Sequence, residues 1–500
     1  MGKFEGEFIF GWWKSLRFSA IMIIWYYVYL NINKETTMIK EIVIKNLYGV
    51  FTHKIKTKKN NITLILGENG IGKTVILKLI KSLFDNNFYE LGKHDFEIFS
   101  VYLENNSLIE VKKKSSNKAL NHFRPENYSL EITYYENSKS KKTGNSHFKL
   151  SSDTIYEFYK SGNEPRNRRF LNPDLFYTLK NYLPIPIDRV SSNRIIDLNS
   201  GRIYGIHELI DRFAEYLPND IKEVFSNESI PEWFTLKIKS YKVKLIETQR
   251  LLTKIKSDDQ EYKNAVTQST EELKSILRTK TLEATNLSTK LDRTYTNRLI
   301  EKVRLRNNSS INDIEDSLIK LEDRRNFLIN VGLLENDNEA INSISDINNN
   351  TDDIELLKDV LEVYIDDSNA KLKTYDDLSE KLNSLIEIIN KRFNYKNFSI
   401  NKNEGFLFKS DITGKRIPLT NLSSGEQHEL VLFYELLFNT PSNSTILIDE
   451  PEISLHISWQ NEFINDLKEI ISINNISAIV ATHSPDIING NWDLTVELSR

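Results

Sequence analysis

Two apolar patterns divide the chain. Short apolar runs set off by Gly, Asn and charged residues fill its two ends, and between them apolar residues recur at three- and four-residue steps. In the first pattern, Ile39–Leu47 and Ile62–Leu66 read as strands of one sheet, and residues 75–80 as a helix opening behind a glycine-rich turn. Residues 96–103, 108–111 and 128–135 predict an antiparallel meander. Residues 174–227 predict mainly helix broken at Pro184, Pro186 and Pro218, and 234–246 alternates like a strand through Leu236, Ile238, Val243 and Leu245. The second pattern runs through Leu251, Ile255, Tyr262, Val266, Leu273, Ile276 and Leu277, then Leu356, Val360, Tyr364, Leu378, Leu382, Leu385 and Ile389. No Pro falls between Pro231 and Pro418, and Gly332 is the only Gly between Gly205 and Gly405. This predicts long helices running out and back, each arm up to ~60–90 Å at 1.5 Å per residue. An Asn- and Asp-rich stretch at 335–353 interrupts them, and the spacing leaves a lumpy bundle and a clean coiled coil both open. Strands return at 398–401, 405–409 and 416–419.

The resulting organisation is an α/β head assembled from residues 38–250, which include a β-rich lobe, and 396–500, with residues 251–395 as a helical insertion. Residues 1–37 stand apart. Residues 18–30 are apolar and aromatic behind Lys14 and Arg17, but shorter than the ~20 residues of a membrane span. A membrane anchor, a signal peptide lacking an A-x-A-like site, and translated upstream sequence before a natural start at Met38 are the three readings.

Composition narrows the chemistry. Among 500 residues there is no Cys, which excludes disulfides, thiolate metal sites and a cysteine nucleophile and fits a cytoplasmic setting. The formal net charge is −4, so any nucleic-acid surface must be local. Lys112 to Lys114, Lys139, Lys141, Lys142, Arg166, Arg168 and Arg169 fall in expected loops, either as solvated charge or as phosphate-backbone contacts.

Gly67-Glu68-Asn69-Gly70-Ile71-Gly72-Lys73-Thr74 fits G-x-x-x-x-G-K-[ST] between a strand and a helix, as a phosphate cradle requires. Glycines let the backbone approach phosphates, and the helix N-terminus favours negative charge. Lys73 then reaches the β- and γ-phosphates and Thr74 ligates Mg²⁺, which points to ATP with Mg²⁺ as cofactor. Residues 445–448 form an apolar strand ending in Asp449 and Glu450, placed to hold the metal and to activate a water. Ser423 and Ser424, with Glu426 and the apolar run 430–438, read as a capped helix start. His483 follows the apolar strand 476–481 directly.

Taken in chain order, the motifs resemble the SMC and RecF branch of ABC-type ATPases. Leu422-Ser423-Ser424-Gly425-Glu426-Gln427 is similar to their LSGGQ signature, with Ser424 in place of the first Gly. The resemblance implies a P-loop ABC-type head with a coiled-coil-like insertion, a Q-loop glutamine at Gln249 that joins Thr74 and Asp449 at the metal, a D-loop at residues 453–456 and a switch histidine at His483. It implies a homodimer or larger assembly, with Ser423 and Gly425 facing the γ-phosphate bound by the other subunit. Residues 449–456 and 481–485 resemble the OLD-like and PtuA-like AAA family ATPases. That likeness implies a stand-alone antiphage-defence ATPase beside a separate HNH nuclease. A RecF-like DNA-repair ATPase and an ATP-dependent scaffold remain as alternatives, and nucleic acid stays open as a ligand.

Overall fold

The computed structural model describes residues 38–498 apart from 59, 116–127, 139–144, 161–172, 192–193, 206–208, 210–211, 214–215, 219–229, 255–261, 306–310, 336–350 and 454. Residues 1–37 and Arg166, Arg168 and Arg169 therefore lie outside the described residues, as do Lys139, Lys141 and Lys142. Among the described residues no helix is long and apolar enough to cross a membrane.

Five strands build the central parallel sheet: β3 (Ile62–Leu66), β11 (Lys242–Ile246), β17 (Ser444–Asp449), β18 (Ser477–Ala481) and β19 (Thr495–Glu497), in the order β11-β17-β18-β3-β19. Parallel strands covered on both faces are apolar throughout rather than alternating, and β17 is buried at every position. On one face Ile65, Leu447, Ile479 and Ala481 pack with Ile76, Leu77 and Ile80 of α1 (Lys73–Phe84). On the other, Leu64, Ile446, Ile448 and Val480 pack against helices from the second half of the chain.

A second, antiparallel sheet covers α1 from outside. It joins β1 (Ile39–Leu47), β2 (Phe51–Lys56), β4 (Ile98–Leu103), β5 (Leu108–Ser115), β6 (Tyr128–Tyr135) and β7 (Asn145–Ser151) in the order β2-β1-β4-β5-β6-β7. The expected meander is thus present, but β1 belongs to it and not to the nucleotide-binding sheet, because its partners are β2 and β4. Lys112, Lys113 and Lys114 are strand residues of β5, not loop residues. Lys112 pairs with Glu110, Lys114 with Glu131, and Lys113 donates to the Gly92 and His94 carbonyls. The side chains of Lys112 and Lys114 stay largely exposed in these pairs. Around this sheet lie α2 (Phe88–Lys93) and α3 (Ser152–Lys160).

Among the described residues of 174–227, the structure is less helical than the pattern predicts. After α4 (Pro173–Tyr182), strands β8 (Ile187–Ser191), β9 (Arg194–Asp197) and β10 (Ile203–Gly205) form a small sheet with its own core around Leu183, Ile187, Ile195 and Tyr204. The 234–246 stretch divides in two. Glu232–Lys239 is helix α5 and only Lys242–Ile246 is strand. Phe234 and Ile238, one helical turn apart, are buried, while Leu236 is exposed.

A hairpin of β12 (Leu252–Lys254) and β13 (Tyr262–Asn264) leads into α6 (Ala265–Leu305), whose 41 residues span about 60 Å. Then come α7 (Ile311–Asn330), α8 (Thr351–Lys373) and α9 (Asp376–Arg392). Asp292, Arg298 and Lys302 of α6 meet Lys371, Asp367 and Glu362 of α8, so the partners descend one helix as they climb the other. The helices do run out and back. Only the base of α6 is buried, through residues such as Val266, Leu273 and Leu277.

The chain re-enters the head through β14 (Lys396–Asn401), β15 (Gly405–Ser410) and β16 (Arg416–Ile417), then α10 (Ser424–Leu437), β17, α11 (Ile457–Asn474), β18 and α12 (Pro485–Ile488). Three helices meet at one fully buried ion group. Arg392 of α9 donates Nη1 to Glu429 of α10 and Nη2 to Asp466 of α11, with its guanidinium over the Phe433 ring. Burial pushes Glu429 up to about 7 and Asp466 up to about 6, against the pull of Arg392.

Candidate functional site

The carboxyl ends of the central strands open on one edge, where α/β sheets bind ligands. Register sets what arrives there. Ile65 lies beside Ala481, Ala481 beside Asp449, and Ile448 beside Ile246. The residues after these positions are therefore neighbours: the Gly67 loop, Thr482 and His483, Glu450 to Glu452, and Thr248 to Arg250.

The glycine-rich loop turns from β3 into α1. Gly70 and Gly72 have φ of +84° and +103°, a region that disfavours side chains. At Gly72 a Cβ would also lie 2.5 Å from Leu47 Cδ2, so β1 packs directly on the turn. His53 Nε2 of β2 is 3.0 Å from the Ile71 carbonyl oxygen and holds the loop from the same side. Lys73 is buried, and its Nζ donates to the carbonyls of Gly67 at 2.7 Å and Glu68 at 3.1 Å. Asn69 is exposed at the tip.

Thr74 Oγ1 donates to Asp449 Oδ1 at 3.0 Å, joining residues 375 positions apart. Thr248 Oγ1 is 3.3 Å from Asp449 Oδ2. Burial raises the Asp449 pKa, and the hydrogen bonds from Thr74 and Thr248 oppose that rise. A hydroxyl and a buried carboxylate at one point are the hard oxygen donors Mg²⁺ prefers. Gln249 stands exposed in the same loop, along the wall of a cavity of about 390 Å³, and it is its neighbour Thr248 that reaches Asp449.

Glu450 has a φ of +43°, a left-handed conformation that costs energy for a residue other than Gly. Its N–H donates to the Ala481 carbonyl. That backbone turn sets its carboxylate 3.8 Å from His483 Nδ1, while Glu452 Oε1 is 3.3 Å from the same nitrogen. Glu452 Oε1 also accepts from Thr482 Oγ1 at 2.8 Å and the His483 N–H at 2.9 Å, tying the two strand ends together. Ser454 of the 453–456 stretch lies outside the described residues. Leu455 beside it is buried and Ile453 is exposed.

At the start of α10 the capping pattern is realised. Ser423 accepts from the Glu426 N–H and Glu426 Oε2 accepts from the Ser423 N–H. Lys396 of β14 holds the other Glu426 oxygen. Ser423 and Ser424 are exposed and Gly425 half-buried, so this N-terminus faces outward. Asn264, at the foot of α6, donates to Gln427 Oε1. Sequence reasoning missed Thr248, Glu452 and Arg250. The single signal for them is their offset from paired strand positions, which needs the register.

A profile of the AAA ATPase domain matches residues 38–488. Protein ea59 of Escherichia phage lambda is 38% identical over 72 residues, a match that covers 14% of this chain and 13% of that protein's length. Two solved structures are similar over most of their length. One is an Smc head domain with an extended coiled coil, bound to the C-terminal domain of ScpA and derived from Pyrococcus furiosus, at 12% identity, 90% coverage of each chain and a TM-score of 0.30. The other is an SmcHead bound to the C-winged helix domain of ScpA, at 11% identity, 92% and 94% coverage and a TM-score of 0.32.

Proposed function

Because this chain belongs to the AAA ATPase domain family, we propose that it hydrolyses ATP at the edge of its parallel sheet, between two copies of itself. The observation that carries this reading is the junction of Thr74 and Asp449, with Glu450 and His483 at the adjoining strand ends. Thr74 and Asp449 would hold Mg²⁺, and Gln249 would join them by movement of its loop. Bound there, Mg²⁺ would supply positive charge against the phosphates. The loop N–H groups and the α1 N-terminus would cradle the phosphates, and Lys73 would leave the Gly67 and Glu68 carbonyls for them. Glu450 would orient a water and take its proton as the water oxygen bonds to the γ-phosphorus and the bond to the ADP oxygen breaks. His483 would donate to the γ-phosphate. Ser423 and Gly425, outward-facing on a capped helix, would complete the site of the other subunit.

The cellular role follows the motif resemblance. The resemblance of residues 449–456 and 481–485 to OLD-like and PtuA-like ATPases supports the reading of an antiphage ATPase that regulates a separate HNH-type nuclease. Glu450→Gln tests the chemistry: ATP binding should persist while turnover falls at least ~10²-fold, the usual scale for losing a general base. Equal turnover would remove Glu450 from that role. Pull-down of the native protein tests the partnership, and capture of no nuclease under ATP would reject it.

A further inference from the structure

One charge at the sheet edge has no work in this scheme. Arg250 is 9% exposed, and none of its Nε, Nη1 and Nη2 atoms meets a hydrogen-bonding partner among the described residues. Burying an unpaired guanidinium is costly. A guanidinium keeps its positive charge at any physiological pH.

The matching orphan lies just beyond the end of the next strand. Glu452 Oε1 is engaged by Thr482 and His483, whereas Oε2 is buried without a partner among the described residues. Ile246 and Ile448 are register partners in a parallel pair. Arg250 and Glu452 each stand four residues beyond them, 246 to 250 and 448 to 452, so donor and acceptor leave the same end of adjacent strands. Arg250 lines a cavity of about 390 Å³ with Gln249, Ala265, Ser269 and Val431. The loop is also tied to the insertion. The Ala265 N–H donates to the Leu251 carbonyl, and Asn264 donates to Gln427 in the signature stretch.

We propose that Arg250 is a positioning residue for hydrolysis. Closing on Glu452 Oε2, its guanidinium draws the loop, and Gln249 with it, toward the strand end that carries Asp449 and Glu450. Because Glu452 Oε1 already holds the His483 backbone, one carboxylate then fixes the loop and the switch histidine together. The same movement reaches the foot of α6 through Leu251 and Ala265. A charge-assisted pair of this kind is stronger than a neutral hydrogen bond and demands defined geometry. The inference rests on the ATPase reading.

The test uses the full chain with Arg250→Met, Arg250→Lys, Glu452→Gln and the Arg250→Met/Glu452→Gln double variant. ATP turnover, binding of a fluorescent ATP analogue and thermal unfolding are read for each. Arg250→Met should lower kcat about 10–100-fold, the scale of a small misplacement of reacting groups, with analogue affinity unchanged. Arg250→Lys should recover part of kcat. The double variant should be no slower than the slower single, because both remove one contact. Wild-type kcat in Arg250→Met, losses that multiply in the double variant, or affinity that falls in step with kcat would each overturn the proposal. Should Arg250→Met fail to fold, Arg250→Lys and Glu452→Gln decide: both must slow turnover at unchanged affinity. A wild-type chain without ATPase activity would sink the ATPase reading and this inference with it; turnover in wild type that Arg250 variants leave intact sinks the inference alone.

Discussion

Replacing Arg392 with Met should show how much of the head depends on its buried ion group. The substitution keeps an unbranched apolar stem in the core, but it removes the guanidinium that lies over Phe433 and faces Glu429 and Asp466. Glu429 is 0% exposed and cannot turn to water. Its escape is to take up a proton, which at pH 8, from an ordinary carboxyl value of 4.5, costs about 1.36 × 3.5, or ~5 kcal/mol. Breaking a buried pair by removing one partner costs about 3–5 kcal/mol, close to that ceiling. At pH 5 the same protonation costs only about 0.7 kcal/mol, so the defect should shrink in acid. Urea unfolding followed by circular dichroism at both pH values is the assay. An unchanged midpoint at pH 8, or a deficit equal at pH 5 and pH 8, would refute the reasoning. The wild type carries its own signature here. Because burial raises both folded carboxyl pKa values, to about 7 for Glu429 and about 6 for Asp466, the folded state binds the extra protons. That contribution is complete below the unfolded values and is lost as pH rises through about 6 to 7. Glu429→Gln should flatten the Glu429 part of that slope.

Three further outcomes are expected. Gly72→Ala should abolish nucleotide binding measured by fluorescence, since its Cβ meets Leu47 and its φ is +103°; normal affinity would mean β1 yields easily. Lys73→Ala and Ser423→Arg should each be inactive alone and regain part of the ATPase activity or the ATP-dependent dimerisation when mixed. Full activity of Ser423→Arg as a monomer would reject the shared site. A chain starting at Met38 should hydrolyse ATP at the full-length rate, whereas membrane fractionation of the full-length protein would favour an anchor in residues 1–37.

Locally encoded features were legible. The strand-loop-helix around Gly67, the Ser423–Glu426 cap and the apolar β17 each announce themselves within about ten residues, the scale on which periodicity and capping act. Features made by pairing were not. Nothing within Ile39–Leu47 says which sheet it joins, and 234–239 carries strand alternation and helical spacing at once, decided by what covers Phe234 and Ile238. Arg392 lies 37 positions from Glu429 and 74 from Asp466, so each reads singly as a solvated charge. Arg250 and Glu452 become partners only through the register of β11 on β17.

The strand order of the central sheet also governs how the protein is made. β3 emerges early in synthesis, yet both strands that flank it, β18 and β19, follow roughly 400 residues later, a separation that slows closure of the sheet. Until then Ile62–Leu66 is an apolar strand with two unpaired edges, open to pairing with other chains. The antiparallel sheet and α1 can assemble first, from residues 39–151, and shelter one face of β3 while the helical insertion is still being translated. A nascent chain halted before Ser477 should therefore hold a formed outer lobe around an unfinished nucleotide site, and be the species that chaperones or proteases meet.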